Sequence, residues 1–221
     1  MLVAATAIGG IWLACSEGGL GTLARLAASA SGGRLTVEQP SGRLLGPLAF
    51  ARVIWSEPGT EVVIEHLQID WSPAALLEKR LAIAELAAAR VAIEIASSDE
   101  ASAPPASLRL PLAVDIKKLA ISRLDYGKLF SADDLQAAYV GDGANHRLAG
   151  VRGRLGKTVI AGEMTLGADA PLPVQASATL SGQLDEQPVR LVVDAAGPLE
   201  RIVLKVLAEE GLRGDGQVTL T

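Results

Sequence analysis

Between Val174 and Leu184 the chain alternates without a break. Val174, Ala176, Ala178, Leu180, Gly182 and Leu184 are apolar or small, while Gln175, Ser177, Thr179, Ser181 and Gln183 are polar. A period of two puts the first set on one face of an extended strand and the second set on the other. The segment therefore reads as a half-buried β-strand. The same pattern runs through Ile160, Gly162, Met164 and Leu166, and through Val189, Leu191 and Val193. Val114 with Ile116, and Val91 with Ile93 and Ile95, extend it towards the amino terminus. Turn signals separate such runs about every ten residues, which is the rhythm of antiparallel β-structure. Gly141-Asp142-Gly143, between Leu135–Val140 and Arg147–Leu155, reads as a hairpin turn because Asp-Gly tolerates positive φ.

Helical signals are sparse. Leu20, Leu23, Ala24, Ala27 and Ala28 recur at helical spacing up to Ala30, and Ser31-Gly32-Gly33 ends the pattern. Ser72 is a candidate cap for a second short helix over 73–79, with Pro73 suited to its first turn. Ser97 to Ser107 is small, polar and proline-containing, a loop joining two strand-rich sections, 16–96 and 108–221. Gly214 to Thr221 turns and begins a further strand, so a longer protein whose sheet continues is expected.

A sheet with one apolar face must bury it, and two short helices cannot cover about ten strands. The sheet either folds over as a sandwich or barrel or curls into a trough. Small residues such as Gly162, Ala176 and Ala178 leave open space and favour the trough. The expected fold is mainly β, an elongated curved antiparallel sheet forming an apolar groove. Its candidate lining is Ile160, Met164, Leu166, Val174, Ala176, Ala178, Leu180, Leu184, Val189, Leu191 and Val193.

Composition closes off several functions. Hydrophobic residues make up 49% of the chain but aromatics only 3%, and the net charge is −5 with no basic run. Nucleic acid is thus an unsuitable partner, lacking both stacking platforms and a cationic track. One cysteine and two distant histidines, His66 and His146, supply neither a disulfide framework nor a usual zinc site, so neither metal nor cofactor is expected. Gly150-Val-Arg-Gly153-Arg-Leu-Gly156 lacks the ending and the following helix of a phosphate loop, and reads as a turn carrying Arg152 and Arg154. Asp133-Asp134 and Asp115 read as solvated turn charges, and His146 as a loop residue. His66 is placed on the polar face of a strand from Val62 to Trp71, opposite Val63, Leu67, Ile69 and Trp71. No nucleophile, base and orienting group come together, so the chain is not read as an enzyme.

Residues 2–15 carry no charge, yet fall short of the ~20 residues that span a bilayer. They read as a truncated signal anchor, with Ile8, Ile11, Trp12 and Leu13 near its outer end and Trp12 suited to the interfacial belt. A cleaved signal peptide is the other reading, and Cys15 belongs to this leader. Either reading exports the chain beyond Glu17.

Two stretches resemble the TamB family, the inner-membrane component of the translocation and assembly module. The first runs from Ser16-Glu17-Gly18-Gly19-Leu20-Gly21 through Gly33-Arg34-Leu35-Thr36-Val37-Glu38 to Ser41-Gly42-Arg43-Leu44-Leu45-Gly46-Pro47-Leu48. The second is Leu67-Gln68-Ile69-Asp70-Trp71-Ser72-Pro73-Ala74-Ala75-Leu76-Leu77, with Arg80-Leu81 and the strand from Leu86 to Ile93. The resemblance implies a periplasm-spanning, AsmA-like β-groove held by one helix in the inner membrane. It further implies phospholipid carried from the inner to the outer membrane, or assembly of outer-membrane β-barrel proteins by strand pairing. The implied partners are phospholipid, the inner membrane and an outer-membrane barrel protein of the same module; a structural tether is a third role.

Overall fold

The computed structural model describes residues 17–95, 106–184, 187–210 and 215–220. One helix, α1 (Glu17–Ala30), precedes β1 (Leu35–Gly42), β2 (Leu48–Glu57), β3 (Thr60–Ser72) and β4 (Arg80–Ile95). Next come β5 (Ala113–Tyr126), β6 (Phe130–Gly141), β7 (Asn145–Leu155) and β8 (Thr158–Gly167). The last four are β9 (Pro173–Leu184), β10 (Gln187–Pro198), β11 (Ile202–Glu210) and β12 (Asp215–Leu220). All twelve lie in chain order in a single open, curved sheet. The mainly β, antiparallel fold expected from the alternation is thus the one observed, and among the described residues no second sheet packs on it.

One pairing differs from the expected pattern. β4 and β5 run parallel, Arg80 facing Ala113 and Ile93 facing Tyr126. Parallel neighbours need a crossover. A strand as long as β4 spans about 50 Å at ~3.3 Å per residue, which the stretch between Ile95 and Ala113 is long enough to retrace. The expected joint at 97–107 falls within that return, and its residues 97–105 lie outside the described residues.

α1 ends as its glycines require. Gly33 N–H donates to Ala28 O and Gly32 N–H to Ser29 O, with φ of +81° and +66°. This is the paired closure in which a left-handed residue terminates the helix, and glycine adopts it without strain. The second helix is a 3₁₀ turn, Pro73–Glu78, rather than an α-helix. Ser72 makes no side-chain cap, and Lys79 at φ +55° ends the turn.

A crease crosses β1 to β6. In each strand the apolar face skips two residues instead of one: Val37 to Pro40, Phe50 to Val53, Ile64 to Leu67, Ala88 to Val91, Ile121 to Leu124, and Ala132 to Leu135. Gln39, His66 and Asp134 adopt positive φ at this line. Register is unbroken across this line in all five pairings, so the six strands change phase together and no strand is bulged against its neighbour. The crease also corrects the expected faces of β3: Val62 and Ile64 share the apolar face with Leu67, Ile69 and Trp71. Val63 lies on the other face, paired with Ile54 and Ala92.

The residues skipped at the crease form a charge ladder. Glu38, Arg52, Glu65, Arg90, Arg123 and Asp133 face one another strand by strand. Opposite charges in register stabilise a sheet, and like charges oppose it. The one like pair, Arg90 beside Arg123, is bridged by Asp125 at 2.8 and 3.0 Å. Ser131 and Arg90 hydrogen-bond that carboxyl and hold it below the usual carboxylate range.

His66→Val should lower stability by about 1–2 kcal/mol, because a β-branched residue is strained at left-handed φ. His66→Gly should be neutral or stabilising. Urea unfolding of the two variants checks this, and equal losses would remove the backbone explanation.

Candidate functional site

Register fixes which side chains share a face. Leu166, Met164, Gly162 and Ile160 of β8 stand opposite Val174, Ala176, Ala178 and Leu180 of β9. On the far side Ala176 faces Ala195, Ala178 faces Val193, Leu180 faces Leu191 and Gly182 faces Val189, while Leu184 pairs with Gln187 at the strand end. Ten of the eleven residues singled out from alternation therefore lie on one face of three adjacent strands, the side chain of Leu184 being outside the described ones. Gly162 permits the close approach of β9, since a Cβ there would lie 2.4 Å from Ser177 O.

The face extends well past those strands. β7 adds His146, Leu148 and Val151, and β11 adds Leu204 and Val206. β1 to β6 contribute the rows on either side of the crease. Among the described residues only nine apolar side chains are buried, so most of this face is half-exposed rather than covered. Sequence reasoning missed its amino-terminal part because the alternation changes phase at the crease.

Several residues lie elsewhere than expected. Arg152 and Arg154 belong to β7 rather than to a turn, and Arg154 pairs with Asp134 at 2.6 Å. Asp133 and Asp134 are in β6, and Asp115 in β5 pairs with Lys117 at 2.9 Å. All three carboxylates lie in strands rather than turns; Asp133 and Asp134 are solvated as expected, at 37% and 62% exposure, and Asp115 is not, at 15%. His146 opens β7 on the apolar face instead of lying in a loop. Its Nε2–H donates to Leu108 O at 3.0 Å, which leaves Nδ1 to accept the Tyr139 hydroxyl at 2.7 Å. Partial burial raises the Tyr139 phenol above its ordinary value. Asp142 does build the expected turn: its carboxylate accepts from the N–H groups of Asn145 and Ala144, which hold it below the usual range.

The two margins of the apolar face are unlike. At the margin where β5 begins, the segment around Leu108 lies across the ends of β7 to β9. Leu108 N–H donates to Ala168 O and Ala170 N–H to Ala106 O. Arg109 grips Asp169 through two nitrogens at 2.6 and 2.8 Å. Ala168 and Leu172 are each 1% exposed, Val174 is buried, and the 3₁₀ turn places a buried Ala75 at the same margin near a buried Ile83. Exposed apolar side chains occur at both margins, Leu45, Leu77 and Leu199 at this one and Trp55, Ile95, Leu129 and Phe130 at the opposite one, but among the described residues only this margin has a segment laid across strand ends.

Arg109 first and Ser107 second hydrogen-bond Asp169 and hold its carboxyl below the ordinary range. A carboxyl depressed by folding stabilises above its unfolded value and loses that stabilisation as pH falls through the folded one. The clip should therefore weaken only below about pH 4. Asp169→Asn should be destabilised at neutral pH and converge on the parent chain in acid. A gap unchanged from pH 7 to 2 in urea midpoints would contradict this.

A hollow of about 630 Å³ opens on the other face among Arg147, Glu163, Thr165, Gln175 and Ser177. Arg147 and Glu163 pair there at 3.3 Å, and the hollow contains no nucleophile activated by a base. The described residues include no group of three or more His, Cys, Asp or Glu able to hold a metal. No described helix is long and apolar enough to cross a membrane. The anchor candidates Ile8, Ile11, Trp12 and Leu13, and Cys15, lie outside the described residues.

A family model described as TamB, N-terminal domain, matches residues 6–138. None of the curated proteins and none of the solved structures matches the chain.

Proposed function

Since the chain belongs to the TamB family, a family of transport and assembly proteins, we propose that it carries phospholipid along its apolar face between the inner and outer membranes. The observation that supports this most is an apolar face running through twelve strands in register and left half-exposed. A soluble sheet gains from covering such a face, and acyl chains are a cover of matching chemistry. Each chain would lie on the Leu, Val, Ile and Ala surface while its headgroup stays in water. Delivery requires no bond making, and the ion pairs and turn carboxylates of the sheet are explained by folding. In this proposal residues 2–15 anchor the protein in the inner membrane, and the sheet lies in the periplasm.

Assembly of outer-membrane barrels by strand pairing is the second reading. At β1 the free edge is blunted, because α1 lies against it and Pro40 has no N–H to offer a partner strand. Lipid carriage is preferred on that ground.

Mass spectrometry of protein purified without detergent should find phospholipid bound. A photo-crosslinker at Leu48, on the apolar face, should capture it, whereas one at Gln175, on the opposite face, should not. Labelling equal at both positions, or absent from both, would count against lipid carriage.

A further inference from the structure

We propose that between β5 and β8 the phospholipid lies in one orientation, its anionic phosphate held at the open margin by Lys128 and Lys157 and its acyl chains pointing towards the closed one. This rests on the lipid-carrying reading and adds to it a headgroup site and a polarity.

Lys128 and Lys157 occupy the tips of the β5–β6 and β7–β8 hairpins. Both tips lie at the same end of the sheet, about 10 Å apart by the spacing of two strands. Among the described residues neither lysine has a carboxylate within ion-pair distance, unlike Arg90, Arg123 and Arg154 in the strands beside them. Two ammonium groups that have no carboxylate partner among the described residues can, at that spacing, share one phosphate. The β5–β6 tip is held in shape: Gly127 N–H donates to Ile93 O at 2.8 Å and Leu129 N–H to Tyr126 O at 3.0 Å. On either side of Lys128 in sequence, Tyr126 and Phe130 stack with ring centroids 5.4 Å apart, and Leu129 is 80% exposed. Apolar side chains flanking Lys128 in sequence suit the glycerol region of a lipid, where the molecule changes from charged to hydrocarbon.

The closed margin of the same strands offers the opposite. Arg109 is already committed to Asp169. The Asp142 carboxylate takes the nearby N–H groups that an anion would need. Leu172 and Ala168, each 1% exposed, themselves offer no surface to a glycerol backbone. Repulsion from Asp142 and missing donors disfavour a headgroup there, whereas its aliphatic surroundings tolerate chain ends.

The test uses the full chain and two phosphatidylglycerol probes, one with a photoreactive group on the headgroup and one at the acyl terminus, with adducts located by mass spectrometry. The headgroup probe should label 127–130 and 156–158, and the acyl probe should label the apolar face near Tyr139 and Val174. K128Q/K157Q should reduce headgroup labelling by roughly tenfold or more, from about 1 kcal/mol per lysine near an anionic headgroup. R43Q/R201Q, which removes two charges at the closed margin, should leave it unchanged. Excess inorganic phosphate should compete weakly, since it lacks the acyl chains; full displacement would reduce the site to a free-phosphate site and overturn the proposal. Acyl adducts on the apolar face combined with headgroup adducts at both margins would overturn the orientation and leave lipid carriage standing. Absence of acyl adducts from that face would overturn lipid carriage itself.

Discussion

Leu172→Ala should lower the unfolding free energy by about 2–4 kcal/mol, the cost of deleting buried methyl groups and leaving a cavity. Leu172 is the largest fully buried side chain described, at 1% exposure, in a sheet whose apolar face is otherwise half-open. Its backbone is engaged as well: its N–H donates to Asp169 O, and its carbonyl accepts from Leu199. The side chain thus anchors the loop that receives the Leu108 segment at the closed margin. Leu129→Ala, at an exposed hairpin tip, should stay within about 0.5 kcal/mol. Because φ at Leu172 is +53°, Leu172→Gly separates the two contributions, losing the same packing while relieving the backbone. Urea unfolding with an unchanged m-value measures all three. A loss below about 1 kcal/mol for Leu172→Ala would mean that the closed margin is not packed.

How much of this could be read from the chain depends on how local the cause is. Val174 to Leu184 could be assigned to a face because a strand in unbroken extended conformation keeps its phase from end to end. The same logic failed at Val63, since His66 adopts positive φ and resets the alternation in the middle of β3. The residue types announce that reset only weakly: His66 and Asp134 belong to the types that tolerate positive φ, Gln39 does not, and all six strands change phase together in unbroken register. The charge ladder was hidden for a related reason, because Glu38, Arg52, Glu65 and Arg90 meet only through register. The parallel β4–β5 pairing is likewise a property of the partner strand. Glycines misled at Gly150 and Gly153, where one serves a bulge at φ +60° and the other makes room for Leu135 inside β7. Gly141-Asp142-Gly143 was legible because the positive φ such a turn needs falls on Gly143, at +91°, a requirement settled within four residues.

Ala178→Asp should reduce lipid capture by about 100-fold while leaving the sheet folded. Ala178 is half-buried, between Gly162 and Val193 in register. Without lipid, the new carboxylate can turn towards water, so the cost to folding is modest. Under an acyl chain it has no such exit, and a charge held against hydrocarbon costs about 2.5–3.5 kcal/mol, which is a factor of roughly 100 in affinity. Leu180→Asp, one pair further along the same face opposite Ile160 and Leu191, should behave alike. Thr179→Asp adds the same charge to the same strand on the opposite face, beside Ala161 and Val192, and should retain capture. The adjacent pair separates the candidate roles. A structural tether would be indifferent to both changes once folding is matched, and strand pairing at a sheet edge would be indifferent to which face carries the charge. Only contact between acyl chains and the apolar face makes residue 178 sensitive and residue 179 tolerant. Equal capture by the two variants, at equal unfolding midpoints, would rule that contact out.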